Sequence, residues 1–295
     1  MTEIFGFPIQ ALMGQLVLGL VNGSFYAMLS IGLSVIFGML NIINFAHGAF
    51  YMIGAFLAWM GLYYWGISYW WSLILVPLAV ALIGIAVERT LLQWIYKLDH
   101  LYGLLLTFGI ALVIEGMFRH WFGVAGQPFD MPDGLTGGFN LGFMFLPKYR
   151  AWVIVASLTV CVGTWFVIEK TRLGSYLRAA TENPKLTQAF GINVPIMVML
   201  IYGLGVGLAG FAGVLAAPVL QVSPLMGSNM IIVVFAVVVI GGMGSIVGSI
   251  ATGLMLGVVE AIPKVLYPEI SSTMVFIIMA IVLLLRPAGL FGKER

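Results

Sequence analysis

Side chains able to do chemistry are sparse in this sequence, and the densest group is Asn41-Ile-Ile-Asn44-Phe-Ala-His47-Gly48. Its three polar residues sit inside a long apolar context. Amide and imidazole groups are costly in hydrocarbon unless they are hydrogen-bonded. Within membrane spans such groups ordinarily face a bundle interior or a cavity. Asn44 and His47 are three apart and share a face if the segment is helical, with Asn41 extending the stripe and Gly48 directly after it. Two compatible readings follow. Asn41, Asn44, His47 and Gly48 line or gate a polar path, or the polar side chains bond carbonyls freed at a helix break.

Glu115 is the next candidate. Arg119 stands four residues later on the same face, and an i,i+4 ion pair is the simplest account of both. A third group lies in Thr171 to Val194. Asn183 fits an N-cap and Pro184 the first helical position. Lys185 to Phe190, Leu186 among them, then spell less than two turns of helix, and Gly191 suits the residue just past a helix end. The physical alternatives are an ordinary connector and a docking element for a soluble partner.

What is missing narrows the chemistry. No G-x-x-x-x-G-K-[ST] stretch occurs, so the chain has no P-loop for ATP. No H-E-x-x-H or Cys/His cluster suggests a metal site, and the three histidines, His47, His100 and His120, are far apart in sequence. No Ser, Cys or Lys stands out as an activated nucleophile, which disfavours a membrane enzyme. The one cysteine, Cys161, lies in an apolar run and has no partner for an internal disulfide. A formal net charge of +2 makes no case for nucleic-acid binding.

These groups must be positioned by elements that live in lipid. The chain has 295 residues, of which 62% are apolar and 8% charged, whereas soluble domains carry roughly 25% charged residues. From Ile4 to Val87, about 84 residues, there is no Asp, Glu, Lys or Arg, and a second uncharged stretch runs from Leu186 to Val259. With about 20 apolar residues per crossing, the first stretch alone supplies at least three. Met1 to Pro8 has no basic n-region, and no small-residue cleavage site follows the first apolar run, so that run reads as a retained span.

Hydrophobic segments are expected at about 9–40, 42–60, 69–92, 103–122, 150–169, 196–218, 228–262 and 270–286. Helices satisfy their own backbone in lipid, and the runs are too long and too little alternating for a barrel. The fold class is therefore an all-α polytopic bundle of about eight hydrophobic segments, some broken or re-entrant. Two segments are too long for one simple helix. The first fits a crossing followed by a broken piece, and 228–262 fits two short helices meeting at Gly241-Gly-Met-Gly-Ser245.

Arg89 and Lys97, the group Lys170, Arg172, Arg178 and Lys185, and the tail Arg286, Lys293 and Arg295 mark cytoplasmic loops. The Gly- and Pro-rich loop at 123–149 then lies outside. The Trp- and Tyr-rich stretch Tyr63 to Trp71 suits an interfacial aromatic belt. The glycines Gly203, Gly205, Gly207, Gly210 and Gly213 on one segment point to close helix packing.

Several stretches together resemble the permease subunits of branched-chain amino acid ABC importers. They are Asn22-Gly-Ser-Phe-Tyr-Ala, Gly32-Leu-Ser-Val-Ile-Phe-Gly38, Asn44-Phe-Ala-His-Gly48, Leu177-Arg-Ala-Ala-Thr-Glu-Asn-Pro-Lys-Leu with Gly191-Ile192-Asn193, Gly241-Gly-Met-Gly-Ser-Ile-Val-Gly248, and Arg286-Pro-Ala-Gly-Leu-Phe-Gly292. The similarity runs in order along nearly the whole chain and is greatest to the shorter, LivH-type subunit. It implies a type II-like ABC importer permease, a single transmembrane domain over 1–295 with a cytoplasmic coupling loop at about 170–195.

The resemblance also implies company. A second permease subunit of LivM type, two cytoplasmic ATPases that bind the ATP and Mg, and a periplasmic substrate-binding protein complete such a system in the bacterial inner membrane, with no cofactor in this chain. Asn183, Pro184, Lys185, Leu186, Phe190 and Gly191 would form the helix that sits in an ATPase groove. The implied substrates are leucine, isoleucine and valine or related small solutes. Permeases of this kind also serve urea and short-chain amides, which stand as the alternative. A stand-alone carrier or channel for a small neutral solute is a further one, although secondary carriers usually bear intramembrane charges for ion coupling.

Overall fold

A computed structural model describes residues 3–4, 7–40, 42–96 and 98–292. Asn41, Lys97, Lys293 and Arg295 lie outside the described residues. Two residues each of β1 (Glu3–Ile4) and β2 (Phe7–Pro8) pair ahead of α1 (Ile9–Leu40). The helices α2 (Ala46–Trp65), α3 (Tyr69–Thr90) and α4 (His100–Phe122) follow, with a 3-10 turn at Leu92–Trp94 between the last two. After the hairpin β3 (Gly138–Asn140) and β4 (Phe145–Pro147) come α5 (Lys148–Lys170), α6 (Arg172–Glu182), α7 (Pro184–Ala189) and α8 (Val194–Ala216). The chain ends in α9 (Met226–Gly241), α10 (Ile246–Leu266) and α11 (Pro268–Leu285).

Among the described residues, six spans are long and apolar enough to cross a membrane: α1, α3 with its 3-10 turn, α4, α5, α8 and α10. The architecture is that of an all-α, multi-pass membrane protein. Side-chain caps fix several helix starts. Asp99 Oδ1 accepts from Leu101 N at 2.9 Å, Asn193 Oδ1 from Ile196 N at 3.2 Å, and Ser245 Oγ from Gly248 N at 3.1 Å. Each such cap satisfies one of the backbone donors left over at a helix start.

The expected break in the first segment is absent. Residues 9–40 form one helix of 32 residues, ~48 Å at 1.5 Å per residue. It contains no proline, and Gly19, Gly23 and Gly32 sit against neighbouring backbone, where a helix tolerates them without bending. The seventh segment does divide, at Gly242–Ser245. Gly242 and Gly244 take φ of 97° and 85° there, the left-handed region that side-chain-bearing residues avoid.

The chain packs as two units. One comprises the described residues up to Ser30, Met131–Cys161 and those from Val233 on. In it α1 meets α10 along a glycine seam: a Cβ on Gly23 would lie 3.0 Å from Leu254 Cα, and one on Gly253 2.5 Å from Ala27 N. Tyr26 donates to Glu260 Oε2 at 2.8 Å beside this seam, and Lys264 Nζ lies 2.7 Å from Glu260 Oε1. The tail folds back onto the α9–α10 turn, Leu290 N donating to Ile240 O at 2.8 Å and Phe291 N to Gly241 O at 3.2 Å. Two separate family-like stretches of the sequence are thus one structural contact.

The other unit holds Ile31–Asp130 and Val162–Ile232. Its centre is α2, buried on nearly all sides, with α3 and α8 packed on it. A helix surrounded in this way needs no polar face. Small residues make the crossings close, as expected where lipid gives no hydrophobic drive to association. A Cβ on Gly54 of α2 would lie 2.6 Å from Gly210 Cα of α8, and one on Gly205 2.8 Å from Gly32 O of α1. At the far end of α2, Gly66 closes the helix at φ 62°, and Tyr63, Tyr64, Trp65, Trp70 and Trp71 stand exposed around it. This is the aromatic cluster expected at a membrane interface.

Candidate functional site

The linker from α1 to α2 carries the expected polar group. Asn44 is buried and its Nδ2 donates to the Tyr202 hydroxyl of α8 at 3.1 Å. Its Oδ1 has no hydrogen-bond partner among the described residues. The linker is pinned from α4 as well. Phe45 N donates to Thr107 Oγ1 at 3.2 Å, and that hydroxyl donates to Ile43 O at 3.1 Å. His47 is fully buried in the first turn of α2, against α1, where a Cβ on Gly32 would sit 3.0 Å from its Cε1. Gly48 meets Gly227 at the start of α9, with room for no side chain between them.

Beside this junction lies a cavity of about 50 Å³. Phe45, Met52, Phe108, Leu112 and Ile231 form its apolar walls, and Gly48, Ala49, Ala111 and Gly227 leave the space. Phe45 and Phe108 meet edge to face at 6.1 Å. Ser228 and Glu115 bring polar groups to the lining. Glu115 Oε1 holds Arg119 Nη2 at 2.6 Å, the i,i+4 pair expected from the sequence. Of the expected path residues, Gly48 alone lines this cavity, whereas Asn44 and His47 are packed beside it and Asn41 is outside the described residues.

The second expected site forms as spelled. Asn183 Oδ1 accepts from Leu186 N at 3.0 Å, Pro184 opens α7, and Gly191 follows the helix end at φ 84°. Asn183, Pro184, Lys185 and Gly191 are exposed, and Leu186 and Phe190 show 54% and 78% of their surface. Apolar side chains so open on a polar loop form a surface suited to a partner.

Sequence reasoning missed α6, which precedes α7. Leu177 and Ala180 face inward while Leu173 and Tyr176 are exposed, and Arg178 bonds back to Glu169 at 3.5 Å. The 3.6-residue spacing of Leu173, Tyr176, Leu177 and Ala180 was the available signal.

Two buried carboxylates were also missed. Glu88 accepts from the Tyr96 hydroxyl at 2.8 Å, and burial, then that bond and the charge of Glu88, push the Tyr96 hydroxyl far above the usual phenol range. Glu260 is the other. Both are the first charges after the two long uncharged stretches, a position that marks them as groups at the edge of the lipid.

Comparison with known proteins adds the family. The family model described as branched-chain amino acid transport system / permease component matches residues 15–283. The chain is 30% identical to the high-affinity branched-chain amino acid transport system permease protein BraD of Pseudomonas aeruginosa, over 95% of each chain. It is 27% identical to the corresponding protein LivH of Escherichia coli, again over 95% of each. It is also 25% identical to LivM of the same organism, over 92% of this chain and 68% of LivM. No solved structure matches the chain.

Proposed function

We propose that this chain, which belongs to the family of branched-chain amino acid transport system permease components, is one membrane-spanning subunit of an ABC importer. It passes leucine, isoleucine, valine or a related small solute across the bacterial inner membrane. It catalyses nothing itself and binds no cofactor. ATP and Mg are bound by two partner ATPases, a second LivM-type permease subunit completes the path, and a periplasmic binding protein delivers the solute. Residues 1–295 act as one transmembrane domain. The loop at 88–102, the stretch 169–185 and the tail from Arg286 face the cytoplasm.

The observation that carries this reading is α7. It is a short helix, capped at both ends by its own residues, presenting Leu186 and Phe190 to solvent between two spans. A rigid, apolar knob of this kind transmits a push without bending. When the ATPases close, α7 moves with them and the bundle exchanges one open side for the other. Asn44, His47 and Gly48 sit at the α1–α2 junction, where such an exchange would be felt.

The test is purification followed by crosslinking. The chain should co-purify with ATPase subunits, and cysteine at Leu186 or Phe190 should crosslink to their surface. Reconstituted with binding protein, the complex should hydrolyse ATP faster with leucine, isoleucine or valine than with urea or short amides. Solute flux through this chain alone, with no bound ATPase, would refute the importer reading.

A further inference from the structure

We propose that the cavity between α2, α4 and the start of α9 is a zwitterion-binding subsite, in which Glu115 and Arg119 hold the charged end of a branched amino acid and the cavity holds its side chain. The inference deepens the importer reading and takes its choice of ligand from it. Three observations converge. The cavity is walled by Phe45, Met52, Phe108, Leu112 and Ile231, which offer a branched aliphatic group nothing but apolar contact. Its volume, about 50 Å³, takes roughly four water-sized groups, the size of a four-carbon branched side chain. And Glu115 lines it while bonded at 2.6 Å to Arg119 one turn further on.

The apolar window of α4 is only 11% buried within the chain, so most of the helix meets lipid or another span. Ionisable groups on a membrane-spanning helix are expensive and mark solute paths. Glu115 is largely covered, at 17% side-chain exposure, while Arg119 is open at 46%. A carboxylate at a cavity wall with a guanidinium beside it is complementary to an α-amino acid. The ligand's ammonium meets Glu115, and its carboxylate meets the planar fork of Arg119, which suits two parallel hydrogen bonds. Because ligand and pair are each neutral in sum, no net charge is carried into the low-dielectric site. A free amine or a free acid would leave one charge unmatched.

The experiment uses the assembled complex in proteoliposomes, with leucine uptake and ATP hydrolysis read together, and direct leucine binding to the chain in lipid nanodiscs. Three probes separate the contributions: leucine, 4-methylpentanoate, which lacks the ammonium, and 3-methylbutylamine, which lacks the carboxylate. Glu115→Gln and Arg119→Gln should each weaken leucine binding about tenfold to a hundredfold, the range expected for losing a hydrogen bond to a charged group. Glu115→Gln should also narrow the preference for leucine over 4-methylpentanoate, and Arg119→Gln the preference over 3-methylbutylamine. Ala111→Phe, which fills the cavity, should abolish leucine binding in a complex that still assembles.

Variants that assemble, hydrolyse ATP and bind leucine like the parent overturn the subsite and leave the importer reading standing. Loss of leucine binding with Ala111→Phe alone overturns the assignment of the charged end to Glu115 and Arg119. If no ATPase associates, the importer reading fails, and leucine binding to the chain in nanodiscs still decides the subsite.

Discussion

The crossing of α2 and α8 gives the sharpest test of how this bundle is held. Gly54→Ala adds one methyl group. Its Cβ would lie 2.6 Å from Gly210 Cα and 2.8 Å from the Gly210 carbonyl carbon. Carbon atoms rest at about 3.5–4.0 Å, so the helices must part by ~1 Å at the crossing. The atoms met are backbone, with no rotamer to turn aside. Overpacking of this kind costs about 1–3 kcal/mol, and an unyielding neighbour places it near 3. Alanine returns up to ~1 kcal/mol as a better helix former than glycine. The net loss is about 2 kcal/mol, a ~30-fold fall in the folded-to-unfolded ratio. Gly116→Ala on α4 is the internal control, because nothing lies within 4 Å of its added Cβ. It should be neutral or stabilising by up to ~1 kcal/mol. Thermal unfolding in detergent, followed by size-exclusion of the surviving fraction, reads both. A Gly54→Ala protein as stable as Gly116→Ala would refute the claim that this crossing rests on backbone-to-backbone contact.

Tyr96→Phe should lower stability by about 1.5–3 kcal/mol, since buried Glu88 loses its donor, as chemical denaturation in detergent would show. The same residue sets an alkaline limit. Its pKa is raised in the folded state, so its contribution to stability is intact below the ordinary phenol pKa of about 10 and declines as pH rises beyond it. Stability measured from pH 8 to 11 should therefore fall less steeply in Tyr96→Phe than in the parent. Asn183→Ala removes the cap of α7, costing about 1 kcal/mol of local helix stability. Hydrogen exchange at Leu186 to Ala189 should quicken, while amides of α8 stay protected. Gly191→Val forces a branched side chain into φ 84° and should unwind the same end, with ATP hydrolysis less coupled to uptake.

Elements set by composition and local capping were legible in the sequence. Runs of uncharged residues located the spans to within a few positions, since lipid leaves the backbone no other choice than helix. Asn183, Pro184 and Gly191 spelled α7, because a cap acts over three or four residues and needs no tertiary partner. The four glycine-rich residues after Gly241 likewise spelled the break before α10. The continuity of α1 was not legible. Whether a glycine bends a helix depends on what stands opposite it, and Gly23 meets Leu254 from more than two hundred residues away. The hairpin at Gly138–Pro147 was also missed, its turn being fixed by Asn140 Oδ1 accepting from Gly142 N at 2.9 Å. At the junction, polarity singled out Asn44 and His47, but the cavity is made by their small and apolar neighbours. Absence of side chain, as at Ala49, Ala111 and Gly227, leaves no chemical signature in a sequence.

The glycines of α8 carry a consequence for how this protein can vary. Gly203 faces Ile85, Gly205 faces Ile36, Gly210 faces Val80 and Gly213 faces the backbone of Tyr51 and Ala55, so contact comes from several directions around one helix. From Gly205 to Ala217 every residue is buried or half-buried. An ordinary surface helix accepts substitutions along a broad outer face. Here freedom narrows to the stripe of Leu204, Leu208 and Phe211, one residue wide. A saturation screen would record α8 as a nearly forbidden segment with a single permissive line. Drift in this chain would then have to occur on the lipid-facing α4 and α5, where nothing within 4 Å awaits a new methyl at Gly109, Gly116 or Gly163.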